Sequence, residues 1–305
     1  MRVMLTGASG FIGSALLARF VREGWQVEAV HRSAEGPQLP GVRWHGVDLW
    51  QAGEVSKLLR ETRPTHLVLN AWVSTPGIFW SSPDNMRWLE ATTSLLHAFG
   101  ACGGESVVGL GSCAEYDWNA EHFVEDKTPE RPSTPYGQAK LTTSHRMFAL
   151  KQTYGFNAAW GRVFMPYGPG DAPRRLVPTV IRRLMLEQEI PLSKGLQIRD
   201  FIYVDDVAEA VARLLRQGAG GIFNLGTGIG TSVRDIALRI ATHFDAAHLL
   251  KFGALEERAE PPVLVADVTK LRHTLGWQPE ISTELGIART LLALSHAKGL
   301  SRLKQ

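Results

Sequence analysis

The stretch Val3-Met4-Leu5-Thr6-Gly7-Ala8-Ser9-Gly10-Phe11-Ile12-Gly13 decides how this chain is read. An apolar run of strand length ends in a glycine triplet and passes at once into a helix-length segment, Gly10 to Glu23. Glycines at this spacing carry meaning only between a strand and a helix. There each glycine has its own role. Gly7 permits the tight turn, Gly10 lets backbone amides approach a pyrophosphate, and Gly13 lets the helix lie close on the sheet. The positive end of the helix favours the anion. Dinucleotide binding is therefore expected, with Ser9, Phe11 and Ile12 completing the turn.

Outward from this turn, short apolar runs alternate with amphipathic stretches, the pattern of a parallel sheet covered by helices. Strands are predicted at Arg2–Leu5, Gln26–His31, Val42–Val47, His66–Asn70, Ser106–Leu110 and Ala158–Val163. Helices are predicted at Trp50–Thr62, Asp84–Gly100 and Tyr136–Tyr154. The fold class is α/β, a doubly wound parallel sheet. After Val163 the run Met165-Pro-Tyr-Gly-Pro-Gly-Asp-Ala-Pro173 forbids a regular element and marks a crossing between lobes. Phe201–Arg216 and Ile222–Asn224 again read as a helix and a strand of the first lobe. The expected division is a dinucleotide-binding domain of residues 1–164 plus about 201–225, and a smaller, discontinuous C-terminal substrate domain of about 165–200 and 226–305.

At 305 residues the chain is about twice a modal domain, which suits two lobes sharing a core. With 44% hydrophobic and 21% charged residues it is globular, and a net charge of +3 without a polybasic tract disfavours nucleic acid and anionic membranes as partners. Two cysteines, Cys102 and Cys113, make no disulfide framework, and the ten histidines show no metal-binding spacing, so no metal is expected. The first apolar run is too short for a signal sequence or a membrane span, which predicts a cytoplasmic protein.

Tyr136 and Lys140 stand one helical turn apart on a helix entered through Ser133-Thr134-Pro135, so both face one cleft. An ammonium beside a phenol stabilises phenolate and draws its pKa towards working pH, which makes Tyr136 a proton donor or acceptor.

These features join Asp48-Leu49 after the third strand, Gly111-Ser-Cys-Ala-Glu-Tyr116, Tyr136-Gly-Gln-Ala-Lys140, and Arg162 with Tyr167-Gly-Pro169. Further on come Arg199-Asp-Phe-Ile-Tyr-Val-Asp-Asp206, Asn224-Leu-Gly-Thr-Gly228 and Leu275-Gly-Trp-Gln-Pro279. In this order, over nearly the whole chain, they resemble the extended short-chain dehydrogenase/reductase superfamily in its nucleotide-sugar epimerase/dehydratase branch. The resemblance implies a Rossmann sheet, a nicotinamide cofactor, a sugar carried on a nucleoside diphosphate and a homodimer built on two long helices of the first lobe. It sets Asp48 and Leu49 along the adenine, adds Asn70 and Ala71 to the cofactor set, and gives Lys140 the nicotinamide ribose. Ser112 matches the catalytic hydroxyl, with Cys113 beside it. Trp72, with Phe79 and Trp80, falls in the substrate loop, while Arg199 and Arg258 match positions that hold the diphosphate.

Three departures from the family pattern are informative. The acid that would accept the ribose hydroxyls of NAD at the end of the second strand is replaced by His31, followed by Arg32; an arginine suits a 2′-phosphate, so NADP(H) is favoured over NAD(H). Glu28 lies three residues inside that strand, out of reach of a ligand. The Asp-Glu pair with which the dehydratases eliminate water is replaced by Cys113-Ala114. Met165 stands where many relatives carry a phosphate-binding asparagine. The expected function is NADPH-dependent reduction of a nucleoside-diphosphate 4-keto-6-deoxy sugar. The alternatives are a nucleotide-sugar 4-epimerase with retained NAD and a non-catalytic NADP-binding regulator.

Overall fold

In the computed structural model, residues 1–32, 36–120, 122–257 and 260–297 are described. The first half runs β1 (Arg2–Thr6), α1 (Phe11–Arg22), β2 (Gln26–His31), β3 (Val42–Gly46), α2 (Ala52–Thr62), β4 (His66–Leu69), α3 (Asp84–Ala101), β5 (Ser106–Ser112), α4 (Pro135–Tyr154) and β6 (Asn157–Val163). The chain continues through β7 (Met165–Tyr167), α5 (Leu176–Leu184), β8 (Ile190–Leu192), β9 (Ile198–Tyr203), α6 (Val204–Gln217) and β10 (Gly221–Leu225). It closes with β11 (Gly230–Ser232), α7 (Val233–Thr242), β12 (Leu250–Phe252), β13 (Val263–Leu264), α8 (Thr269–Leu275) and α9 (Thr283–Ala297).

Seven strands form one sheet in the order β10-β6-β5-β4-β1-β2-β3, and every neighbouring pair is parallel. Strands such as β4 are buried along their whole length, because helices cover both faces and no polar side is needed. Leu16 and Phe20 of α1 pack with Val207, Val211 and Leu214 of α6 on one face. On the other, Leu58 and Leu59 of α2 meet Leu95 and Phe99 of α3 and Met147 and Leu150 of α4. The winding direction reverses between β1 and β4, so their carboxyl ends part into a crevice, the usual ligand position in such sheets.

Helix α4 is set by three local signals. Thr134 accepts from the Gly137 amide at 3.1 Å, Pro135 opens the first turn, and Gly155 ends the helix at φ 77°. A separate core, with Val180 and Ile181 of α5, Ile236 and Ile240 of α7, and Ile287 of α9, gathers around short strands outside the main sheet. Two expectations fail here. Met165–Tyr167, expected to hold no regular element, form strand β7 at the edge against β9, where a proline is tolerated. Phe201–Tyr203 are not helical but end strand β9, which pairs with β7, β11 and β13. Helix α6 begins only at Val204, because the backbone of Phe201–Tyr203 is taken up in pairing with Met165–Tyr167 of β7. Among the described residues no helix is long and apolar enough to cross a membrane.

Candidate active site

A cavity of about 940 Å³ opens from the carboxyl ends of β1, β2 and β4 towards α5. Its floor is the glycine turn. Gly7 adopts φ 64°, and its carbonyl is held by Asn70 Nδ2 at 3.0 Å. A Cβ on Gly13 would stand 1.9 Å from the Gly7 oxygen, so only glycine lets α1 approach the turn. Gly13 thus shapes the site without lining it. Gly10 caps α1 with no side-chain acceptor for the first amides, which suits a bound anion. The turn therefore fits a dinucleotide pyrophosphate, and Ser9, Phe11, Ile12 and Ala71 also line the cavity.

At the end of β2, His31 and Arg32 line the cavity next to Asp48 and Leu49. Glu28 is 1% exposed and held by Arg43 and by His45 Nε2 at 2.7 Å, so it is committed inside the sheet. Trp50 and Trp88 extend this wall, with ring centroids 5.5 Å apart.

Ser112, Tyr136 and Lys140 all line the same cavity, together with Trp72 and Met165. Ser112 ends β5 and caps the turn Cys113–Glu115, accepting from the Ala114 amide at 3.2 Å. Burial pushes the Tyr136 phenol well above its ordinary range, against a hydrogen bond with Ser112 and the Arg175 guanidinium, while Glu115 pushes it further up. Lys140 Nζ donates to the Leu110 carbonyl at 2.8 Å and stands 4.0 Å from the Trp72 ring centroid. Burial lowers its pKa to about 7, opposed by Glu115. The expectation that Lys140 draws the phenol pKa down is thus corrected. Burial is the leading influence on both groups, favouring the neutral phenol at Tyr136 and the neutral amine at Lys140.

Two expected substrate contacts lie elsewhere. Cys113 is 3% exposed and packs with Tyr116, Phe123 and Phe164, away from the cavity lining. Its thiol is pushed up to about 12 by burial. Arg199 also turns away from the cavity: it donates to the Pro261 and Ile198 carbonyls at 2.9 and 2.8 Å and pairs with Glu260 at 3.0 Å. Those acceptors satisfy a guanidinium that burial would otherwise strand. Arg258 lies outside the described residues. Glu115 is fully buried between Arg162 Nε at 2.8 Å and Trp160 Nε1 at 2.9 Å, and is no free acid.

Arg174 and Arg175, at the entry to α5, line the cavity instead, and the sequence pattern did not point to them. Arg175 pairs with Asp171 at 3.5 Å, and burial raises the Asp171 carboxyl to about 6. The one available signal was a cationic doublet directly after the Pro/Gly-rich crossing.

Comparisons with known proteins agree with this architecture. Residues 3–226 match the model of the family described as "NAD dependent epimerase/dehydratase family". The Escherichia coli (strain K12) dTDP-glucose 4,6-dehydratase 1 is 31% identical, over 100% of this chain and 96% of its own. The UDP-glucose 4-epimerase of Mycolicibacterium smegmatis is 27% identical over 95% of this chain and 97% of its own. Among solved structures, the Thermus thermophilus UDP-glucose 4-epimerase in complex with NAD superimposes with a TM-score of 0.87 at 27% identity, covering 97% of this chain and 100% of that one. Matched over residues 3–226, which span the glycine turn and the central sheet, this chain belongs to the NAD dependent epimerase/dehydratase family of enzymes.

Proposed function

We propose that this enzyme uses NADPH to reduce the C4 ketone of a nucleoside-diphosphate 4-keto-6-deoxy sugar. The observation that carries the cofactor choice is the end of β2, where His31 and Arg32 border the cavity while Glu28 is tied up in the sheet. A guanidinium favours a 2′-phosphate over bare ribose hydroxyls. The amides of the glycine turn hold the pyrophosphate, and Asp48 and Leu49 flank the adenine. When bound, the nicotinamide supplies the hydride. Tyr136, kept protonated by burial, donates its proton to the developing C4 alkoxide, and the Ser112 hydroxyl orients that oxygen. Lys140 holds the nicotinamide ribose. Arg174 and Arg175 meet the substrate diphosphate in place of Arg199.

Elimination of water has little support, since Cys113 is buried and Glu115 is committed to Arg162 and Trp160. Ser112, Tyr136 and Lys140 converging on one cavity weigh against a non-catalytic regulator. A second reading, a 4-epimerase with retained NAD, is favoured by the likeness to the NAD-bound UDP-glucose 4-epimerase. The proposal includes a homodimer built on the outer faces of α3 and α4 and a cytoplasmic setting, where NADP is kept mostly reduced.

Stoichiometric NADPH oxidation across a panel of nucleoside-diphosphate 4-keto-6-deoxy sugars is the expected result. Purified protein that carries NAD and interconverts two C4 epimers without added cofactor would overturn it in favour of the epimerase.

A further inference from the structure

Tyr136 and Lys140 share α4, yet the loop between β4 and α3 packs against both. On one side, the Trp72 ring covers the Lys140 ammonium at 4.0 Å, and Leu110 accepts from it at 2.8 Å. On the other, the Phe79 ring meets Tyr136 edge-on with centroids 4.9 Å apart, and the Trp80 carbonyl accepts from the Tyr136 amide at 3.1 Å.

One side chain joins these two arms. Asn85, 1% exposed in the first turn of α3, accepts from Trp72 Nε1 through Oδ1 at 2.9 Å and donates from Nδ2 to the Phe79 carbonyl at 2.8 Å. Chemistry forces that amide orientation. An indole N–H only donates and a carbonyl only accepts, so exchanging oxygen and nitrogen would break both bonds.

We infer that Asn85 is a positioning residue that fixes Lys140 and Tyr136 relative to each other, through Trp72 and Phe79. It acts only through its neighbours, and a buried amide with both ends satisfied is costly to disturb. This rests on Tyr136 and Lys140 being the reacting pair, and not on which hydride-transfer reaction they serve. Without the amide, the Trp72 indole loses its anchor and the Phe79 main chain its donor. Lys140 and Tyr136 then keep their helix but lose their common frame.

The test is a double-mutant cycle with Asn85→Leu and Trp72→Phe, the second of which keeps a ring but removes the indole donor. Cofactor affinity is measured by calorimetry with NADPH and NAD in parallel, and keto-sugar kinetics alongside. Asn85→Leu should lower kcat on the order of tenfold to a hundredfold with KM within about threefold of wild type. Each single variant should weaken the cofactor by roughly tenfold, and the double variant should be no worse than the poorer single one. Multiplying effects in the double variant, or wild-type kcat and affinity in a folded Asn85→Leu protein, would overturn the inference. Should Asn85→Leu not fold, Trp72→Phe probes the same bond from its other end, and wild-type values there overturn it equally. Absence of keto-sugar reduction by the wild type would sink the proposed reaction and leave the cofactor-affinity cycle as the judge of Asn85.

Discussion

Glu115 accepts from Arg162 Nε at 2.8 Å, and neither side chain is more than 1% exposed. The same carboxylate takes the Trp160 indole N–H and the Ser112 amide at 2.7 Å, so the end of β5 that carries Ser112 is pinned. Glu115→Leu would leave a buried guanidinium with Glu130 as its remaining carboxylate. Breaking a buried pair in this way costs about 3–5 kcal/mol. Urea unfolding should register that loss; a change below about 1 kcal/mol would mean that the network relaxes around the gap.

Tyr136→Phe should abolish turnover while leaving NADPH affinity nearly intact, since in the proposed reaction the phenol acts on the substrate oxygen. Lys140→Ala should damage both, because the proposed role of Lys140 includes the cofactor ribose. Calorimetry paired with steady-state kinetics separates the two. Substantial keto-sugar activity in Tyr136→Phe would show that another group delivers the proton.

The wild type should bind NADPH more tightly than NADH, and Arg32→Ala should narrow the difference. One charge-assisted contact to a phosphate is worth roughly 1.5–3 kcal/mol, about tenfold or more in affinity. Equal affinities in the wild type would remove Arg32 from the cofactor site.

Asp171 gives a pH signature with a fixed sign. Burial raises its carboxyl from 3.8 to about 6, so between those values the folded protein binds more protons than the unfolded chain. Its contribution to stability therefore falls as pH climbs through that window and is level on either side. Asp171→Asn should remove this fall, matching wild type near pH 4 and exceeding it at pH 7 by up to about 3 kcal/mol. Denaturant midpoints at the two pH values decide it, and parallel profiles for the two proteins would argue that Asp171 is solvated.

The sheet was legible because its signals are local. Continuous apolar runs, the glycine turn and the Thr134-Pro135 helix entry each declare themselves within a few residues, and the named strands lie within one or two residues of their expected ends. Phe201–Tyr203 defeated that reading, since three apolar residues in a row suit a helix and a buried strand equally, and only pairing with the distant β7 selects the strand. The lining of the cavity by Ser112, Tyr136 and Lys140 followed from motif and strand order. Arg199 did not follow, because a guanidinium goes to whichever acceptors the fold brings near. Here those are Pro261 and Glu260, far along the chain. Arg175 was missed for the same reason: the cationic doublet Arg174-Arg175 stands out locally, but nothing in it reveals that α5 begins at the cavity wall.

The indoles of Trp50, Trp88 and Trp72 stand in succession along the cavity wall, with centroid spacings of 5.5 and 6.3 Å. Indole emission overlaps the near-ultraviolet absorption of a dihydronicotinamide ring but not that of its oxidised form. A reduced cofactor held against this row drains the excitation energy of all three tryptophans, and an oxidised one leaves most of it to be emitted. The same wall is therefore also an optical gauge of the redox state of a cofactor held against it, readable in a single turnover without a label.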